Sequence, residues 1–485
     1  MGTFPRIDKA CLADKWSCKR EPSKQPKKLV VAVFPILMVT PVLFPTQFVS
    51  IILSILALCI LILAALRFLG ILVTINHPRP HTERPSPNPF EHWPKITVLV
   101  PLYKEAHMVP SLMHHLKQLN YPRSHLSILL IAEQDDKPTC EAINRLLDPP
   151  FDLFIVPPSL PRTKPKALNA ALFSLPPDKR GDIITVYDAE DRPHPDQLKQ
   201  AATALMNNPD LVAVQAPLGF YNDRQNWLTA MFALEYAALF HVWNPALARM
   251  GMVFTLGGTS NHIRYNALQT AGGWDPHNVT EDADLSFRLT ALQGTGARKY
   301  KIGTIKSPTA EEAVCTPATW RLQRSRWLKG FMQTWLVHSK KHDQSPDNKP
   351  IRKRAYLKTL CSLYVTIGAT LMTAFLHVPS LIIIGSLCLA NYIGLVDIEW
   401  PASMAIIMIS GYGAAILTAI IGAIRADKPY LIKYAPLLPF YWLMYFWPAL
   451  IALREISHAP SLWHKTAHSG VTVNKEGTNT PYLEP

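Results

Sequence analysis

The sequence predicts an α/β domain on a mostly parallel sheet, set between apolar helical segments at both ends of the chain. Three observations predict it. Between residues 96 and 187, runs rich in β-branched residues alternate with helical stretches, the pattern of strands joined by crossover helices. Three of the strand ends carry acidic or other polar residues, and in an open α/β sheet ligands sit just beyond the carboxyl ends of the strands. The flanking stretches, 29–75 and 355–454, are apolar enough and long enough to hold membrane-spanning helices.

Composition narrows the class. Hydrophobic residues make up 48% of the 485 residues and mean hydropathy is +0.08, an average over very apolar ends and a middle of soluble-domain character. The formal charge of +14 suits an anionic lipid surface or a polyanionic substrate. Nucleic acid is not a predicted partner, because no zinc-finger spacing or RNA-binding aromatic motif is present. The seven cysteines are scattered without metal-ligand spacing, which predicts reduced thiols in a cytosolic context.

Residues 1–28 are polar and basic, and the positive-inside rule places them in the cytoplasm. Residues 29–75 are predicted to form two transmembrane helices, turning near Pro41–Thr46, and the prolines within 76–95 predict a stiff linker. The core domain spans 96–340. Its predicted strands are 96–100, 126–132, 153–156 and 183–187, and its predicted helices are 108–119, 138–147, 167–174 and 195–207. The strand ends deliver Tyr103 and Glu105, then Glu133, Asp135 and Asp136, then Asp188, Glu190 and Asp191. Several acidic strand ends in one sheet should converge on one crevice.

The last of these ends is the most telling. Carboxylates bunched beyond a buried strand repel one another unless a cation sits among them, and a hard ion such as Mg²⁺ or Mn²⁺ suits oxygen ligands shared with phosphates. The alternative is an acidic loop capping the next helix. In Thr163-Lys164-Pro165-Lys166, lysines near a helix N-terminus suit phosphate oxygens; the alternative is a solvated basic loop. Residues 225–247 read equally as a membrane-surface helix or a core helix. Leu256 to Arg264 reads as a small-residue loop that lets a sugar approach the backbone. In Thr280-Glu281-Asp282, Thr280 is a candidate helix cap, and one carboxylate is a candidate general base. Gln323, Arg326 and Trp327 share a helix face: arginine suits a diphosphate and tryptophan offers a platform for a sugar ring. A basic helix against lipid headgroups fits the same residues.

Seven motifs in order, VPLYKEA, EQDD, TKPKALN, YDAED, GGTSNHIR, VTEDADLSFRL and QRSRW, resemble a membrane-bound family 2 glycosyltransferase. The chain is similar to cellulose synthase and hyaluronan synthase, and more so to bacterial exopolysaccharide or β-glucan synthases, over roughly 96–338. The resemblance implies a GT-A fold and an inverting, processive transfer from a nucleotide sugar, UDP-glucose first. Asp135 or Asp136, with Glu105 nearby, would contact the nucleoside. Asp188 and Glu190 would replace the metal-binding D-x-D, with Asp191 as a substitute ligand. Asp282 would be the general base beside Glu281. Arg326, with Gln323, would hold the diphosphate, helped by Lys166, and Trp327 would stack under the acceptor sugar. The implied partners are a nucleotide-sugar donor, a glycan acceptor, the lipid bilayer and accessory export proteins; the implied place is the inner (plasma) membrane, with the catalytic domain cytoplasmic. Transfer of a single sugar to a lipid or short acceptor, or an inactive scaffold, are the alternatives.

Apolar segments at about 356–376, 378–396, 402–424 and 434–453 predict three or four C-terminal spans, with a polar tail from 455 to 485. Tyr441, Trp442, Tyr445 and Trp447 read as channel-lining or as lipid-facing aromatics.

Overall fold

The computed structural model describes residues 12–19, 45–76, 93–292, 299–351, 353–395, 402–463, 472–473 and 479–480. The expected first span before residue 45, most of the proline-rich linker and most of the tail lie outside these residues.

In chain order the elements are α1 (Pro45–Asn76), β1 (Ile96–Leu102), α2 (Val109–Lys117), β2 (Leu126–Glu133), α3 (Lys137–Leu146), β3 (Phe151–Val156), α4 (Lys164–Ser174) and β4 (Ile183–Val186). There follow β5 (Arg192–Pro193), α5 (Gln197–Asn207), β6 (Leu211–Gln215), β7 (Leu218–Phe220), α6 (Trp227–Ala238), α7 (Asn244–Arg249), β8 (Asn261–Arg264) and α8 (Tyr265–Thr270). The second half adds α9 (Glu281–Ala291), β9 (Lys301–Thr304), β10 (Thr309–Glu311) and α10 (Pro317–His338). The last helices are α11 (Lys353–Tyr392), α12 (Ala402–Arg425), α13 (Leu438–Leu443) and α14 (Phe446–His458).

The main sheet has seven strands in the order β3-β2-β1-β4-β8-β6-β9. β1, β2, β3 and β4 run parallel, as the alternation predicts, but β8 is antiparallel to both β4 and β6. The sheet is therefore mixed. The stretch from Leu256 to Arg264 is only half a loop, since Asn261–Arg264 is the reversed strand. Along β1, Val98 and Val100 enter a core beneath α2 and α5, while Leu99 enters the opposite core beneath α4, α8 and α9. This alternation follows from the two-residue period of a strand, and it explains why the strand is apolar at every position but Thr97: both faces are covered.

A third core joins the sheet domain to the apolar helices. It holds Phe220, Phe232 and Tyr236 with Trp320 and Leu328 of α10, Ala419 and Ala423 of α12, and Tyr441 and Tyr445. Of the two readings of 225–247, burial wins: α6 lies between the sheet domain and α12. A Cβ on Gly422 would come within 2.6 Å of the Ala237 backbone, so only glycine permits this approach. The helix opens into a π turn at Leu239–Trp243 before α7.

Among the described residues three helices are long and apolar enough to cross a membrane, or four if the bent pair Pro429–Leu443 and Phe446–His458 counts as one span. The expected break near residue 377 is absent. The segments predicted at 356–376 and 378–396 form one helix, Lys353–Tyr392, which contains a π turn at Tyr364–Gly368 and accommodates Pro379 in its interior. Hydropathy marks the polar dip at His377 but cannot show that the backbone continues through it.

The helix α10 runs from the cavity described below to the back of the domain, where Asp284 binds Arg288 and His338 at 2.7 Å each. Gly330 sets its approach to α9: a Cβ there would lie 2.7 Å from the Thr280 backbone nitrogen. Gly330→Val is therefore expected to push α10 off the Thr280 turn and destabilise the protein by about 1–3 kcal/mol, read as a lowered thermal midpoint of the detergent-purified chain. An unchanged midpoint would show that the contact is slack.

Candidate functional site

The carboxyl ends of β1, β2 and β4, the Leu256–Ser260 loop, the start of α9 and the middle of α10 enclose one cavity of about 650 Å³. Its wall includes Tyr103, Glu105, Asp188, Glu190, Glu281, Asp282, Gln323, Arg326 and Trp327. Nine of the positions singled out in the sequence thus share a single space, although they are spread over more than two hundred residues.

At its centre the Lys164 ammonium pairs with Asp188 and donates to the Gly258 carbonyl at 2.8 Å. Burial pulls this lysine down, but the charges of Asp188, Glu281 and Asp282 outweigh it and hold its pKa above the ordinary value. Arg326 is lowered by burial, against the opposing pull of Glu281, Asp282 and Asp188. These electrostatic couplings show that the YDAED, VTEDAD and QRSRW motifs meet. Gly258 lies between them: a Cβ there would be 3.6 Å from the Lys164 Nζ and 3.7 Å from an Asp282 carboxylate oxygen.

The two acids that open α9 are not equivalent. Glu281 is 3% exposed; burial and then the Asp282 charge push its pKa up to about 8, against the pull of Lys164. Asp282 is more open to the cavity and is also raised by burial, with Lys164 and Arg326 opposing. The expected Thr280 side-chain cap is absent, because its hydroxyl turns to Asn278.

Four predicted residues are placed elsewhere. Lys166 lies buried on Glu133, with contacts of 2.7 and 3.0 Å, and is not on the cavity wall. On the first turn of α4, positions 164 and 166 point to different sides, so only one can reach the cavity, and it is Lys164. Asp191 turns inward, accepting hydrogen bonds from the Asp188 backbone at 2.8 Å and from the Thr259 hydroxyl. It braces the turn and does not reach the cavity wall. Asp136 accepts from the Lys104 backbone, and Asp135 pairs with Arg162 at 2.7 Å. Neither lines the cavity, whose wall is formed there by Tyr103, Glu105 and Arg162; Asp136 is buried and Asp135 is exposed.

Glu311, at the end of β10, was not foreseen. It lines the cavity, and its pKa is raised well above the carboxylate range by burial and by Asp191, Glu190 and Asp188. Only tertiary pairing of β10 with β5 and β7 brings it there. Glu235, the one acid in the apolar stretch 225–247, pairs with Arg324 at 2.6 Å and accepts from Tyr441 and Tyr445. The two tyrosines are therefore hydrogen-bonded struts beneath α10. Trp442 and Tyr445 contribute to the cavity wall, whereas Trp447 is 59% exposed on the outer face.

The fit to a divalent cation and a diphosphate can be tested on these atoms. Among the described residues, the buried Glu311 Oε1 on the cavity wall lacks a hydrogen-bond partner, as does the Arg326 Nε donor, and Asp188 and Glu190 add carboxylates to the same wall. Surplus acceptors on one side and an unused guanidinium donor on the other match a cation shared with phosphate oxygens. No three His, Cys, Asp or Glu among the described residues form a cage by themselves, so an ion here needs oxygens from its substrate, as is usual for Mg²⁺.

A mixed α/β sheet that brings carboxylates, lysine and arginine to one cavity defines a group-transfer class of site. The comparisons say which: residues 183–397 match the family model described as Glycosyl transferase family group 2, so the chain carries a glycosyltransferase family 2 domain. Among curated relatives, a probable glycosyltransferase of Bacillus subtilis is 26% identical over 49% of this chain and 55% of its own length. The beta-monoglucosyldiacylglycerol synthase of Trichormus variabilis is 28% identical over 50% of each chain. A probable glucomannan 4-beta-mannosyltransferase of Arabidopsis thaliana is 25% identical over 50% of this chain and 43% of its own. The chain spans about half the length of these relatives.

The raised pKa of Glu281 has a measurable consequence. An acid whose folded pKa lies above its unfolded value costs stability as pH rises between the two, here from the ordinary glutamate range to about 8. Glu281→Gln is expected to stabilise the ligand-free protein by on the order of 4 kcal/mol at pH 8 and little at pH 4.5, read as a raised thermal midpoint. A stabilisation equal at both pH values would remove the assigned cause.

Proposed function

We propose that this protein is an inverting membrane glycosyltransferase that takes a nucleotide sugar, UDP-glucose first, and transfers the sugar to an acceptor hydroxyl. The observation that carries the reading is the single cavity joining Asp188, Lys164, Asp282 and Arg326, with an apolar arm extending among the long helices. The apolar helices and the basic run from Lys340 to Arg354 support a multi-pass protein of the inner (plasma) membrane with this domain on the cytoplasmic side.

In this reading the diphosphate lies between Asp188 and Arg326. Arg326 and Lys164 offset the negative charge that grows on the leaving group as the bond from the anomeric carbon to the phosphate oxygen breaks. Asp282, on the cavity wall, takes the proton of the acceptor hydroxyl as its oxygen bonds the anomeric carbon. One displacement, without a covalent sugar intermediate, turns an α-linked donor into a β-linked product. Glu281, held protonated near neutral pH by its surroundings, is suited to orienting its neighbours and not to accepting the proton. A divalent ion, Mg²⁺ or Mn²⁺, would be held by Asp188 and Glu190 together with diphosphate oxygens, and would add charge neutralisation there.

Trp327 beside Gln323 supports repeated transfer, because an aromatic platform under the acceptor sugar can hold a growing β-linked exopolysaccharide or β-glucan. The beta-monoglucosyldiacylglycerol synthase relative and the apolar arm support the alternative, transfer to a lipid.

Two outcomes test the reading. Asp282→Asn should lower transfer at least about 100-fold while UDP binding, measured by calorimetry, stays near wild type; retained turnover would release Asp282 from its role. Removal of divalent ions by chelation should abolish transfer from a panel of UDP-sugars, and Mg²⁺ or Mn²⁺ should restore it. Full turnover in excess chelator would exclude the ion.

A further inference from the structure

The cavity does not end at the sugar-handling groups. Its wall continues through Leu63 and Arg67 of α1, the π turn with Phe240 and Trp243, Asn244 of α7, and Ala419 of α12. Arg67 lies inside the apolar window Ala57–Asn76 that is long enough to cross a membrane. It stands nine residues before the end of α1, about 14 Å along the axis at 1.5 Å per residue.

The other cations on the cavity wall have carboxylate company. Lys164 has Asp188, Arg162 has Asp135 and Arg324 has Glu235 as ion pairs, and Arg326 lies in the field of Glu281, Asp282 and Asp188. Among the described residues Arg67 has no carboxylate within ion-pair reach; its contact is the face of Trp442, 5.5 Å from the guanidinium carbon to the ring centroid. A cation–π contact offsets only part of the cost of a guanidinium in an apolar wall. A second group on this wall is also unfilled. Asn244 is 1% exposed, and its side-chain Nδ2 has no hydrogen-bond partner among the described residues. A bare guanidinium and a bare amide donor on the same apolar wall call for an acceptor-rich anion carrying apolar chains.

We propose that this arm binds an anionic phospholipid, its phosphate oxygens on the Arg67 guanidinium and the Asn244 amide, and its acyl chains against Leu63, Phe240 and Ala419. The proposal deepens the transferase reading, on which it rests for the direction of the headgroup, toward the cavity that holds Asp282. A neutral glycan would be served by the tryptophans alone and would leave the Arg67 charge uncompensated. Arginine matches a phosphate by its planar fork of donors.

The test uses the full chain in phosphatidylcholine vesicles with spin-labelled phosphatidylglycerol or spin-labelled phosphatidylcholine as the probe, at high salt. Salt screens the exposed basic run around Lys340 to Arg354 but not a buried pair. Wild type is expected to retain phosphatidylglycerol about tenfold over phosphatidylcholine, Arg67→Gln to lose that preference, and Asn244→Ala to lose part of it. Arg67→Lys keeps the charge and should keep an intermediate preference, which guards against a Gln variant that fails to fold; UDP binding checks the fold of each. Equal retention of the two lipids by wild type at high salt, or a preference unchanged in Arg67→Gln, overturns the proposal. Lipid preference without sugar transfer would sink the transferase reading and leave this site standing, and transfer without lipid preference would do the reverse.

Discussion

The site depends on how negative charge is balanced where β4 ends. Asp188, Glu190 and Asp191 follow a strand buried on both faces, and Glu281, Asp282 and Glu311 are brought against them by other elements. Burial in low dielectric, with the neighbouring carboxylates, raises the pKa values of Asp191, Glu281 and Glu311. The Lys164 ammonium and the Arg326 guanidinium are what allow the cluster to stay partly ionised. Remove the lysine from its place between Asp188 and Gly258 and the acids would have to protonate or separate. The arrangement is also a reservoir for binding: a substrate that brings its own anionic oxygens with a cation relieves surplus charge on both sides.

The second constraint is mechanical. The helix α10 carries Gln323, Arg326 and Trp327 on one stretch and is clamped along its whole length. Arg324 is fixed to Glu235 and lies 4.3 Å from the Phe232 ring centroid and 4.5 Å from that of Trp327. Lys329 binds Glu455 of α14 at 2.8 Å, and His338 binds Asp284 of α9. The same helix therefore joins the sheet domain to the apolar helices, so the groups facing the cavity are held by packing and by buried pairs and not by a loop. Beyond Glu455, Trp463 returns to the cavity and lies 4.5 Å from the Arg326 guanidinium carbon to its ring centroid. The segment just after α14 thus reaches the same site that the middle of the chain builds.

Much of the domain is legible in the sequence. Alternating strand and helix patterns placed β1, β2, β3 and β4 and their helices within a few residues, because buried parallel strands need unbroken apolar runs. The spacing of Gln323, Arg326 and Trp327 on a helix was also sufficient to put them on one wall. What the residue pattern did not carry was the partner of each charge. Lys164 and Lys166 have the same chemistry two positions apart, and Asp191 follows Glu190 directly. Which of them faces a ligand depends on where α4 begins and how the chain turns after β4.

From the order of residues alone came the α/β class, the apolar flanks and the acidic and basic motifs, since these are local: periodicity and turn chemistry act within a few residues. Tertiary structure alone decided the reversal of β8, the arrival of Glu311 at the cavity and the seat of the Arg67 guanidinium over Trp442. Each of these is a relation between segments far apart in the chain. The energies that settle them, burial of a shared face and neutralisation of one charge by another, come into existence only when those segments touch.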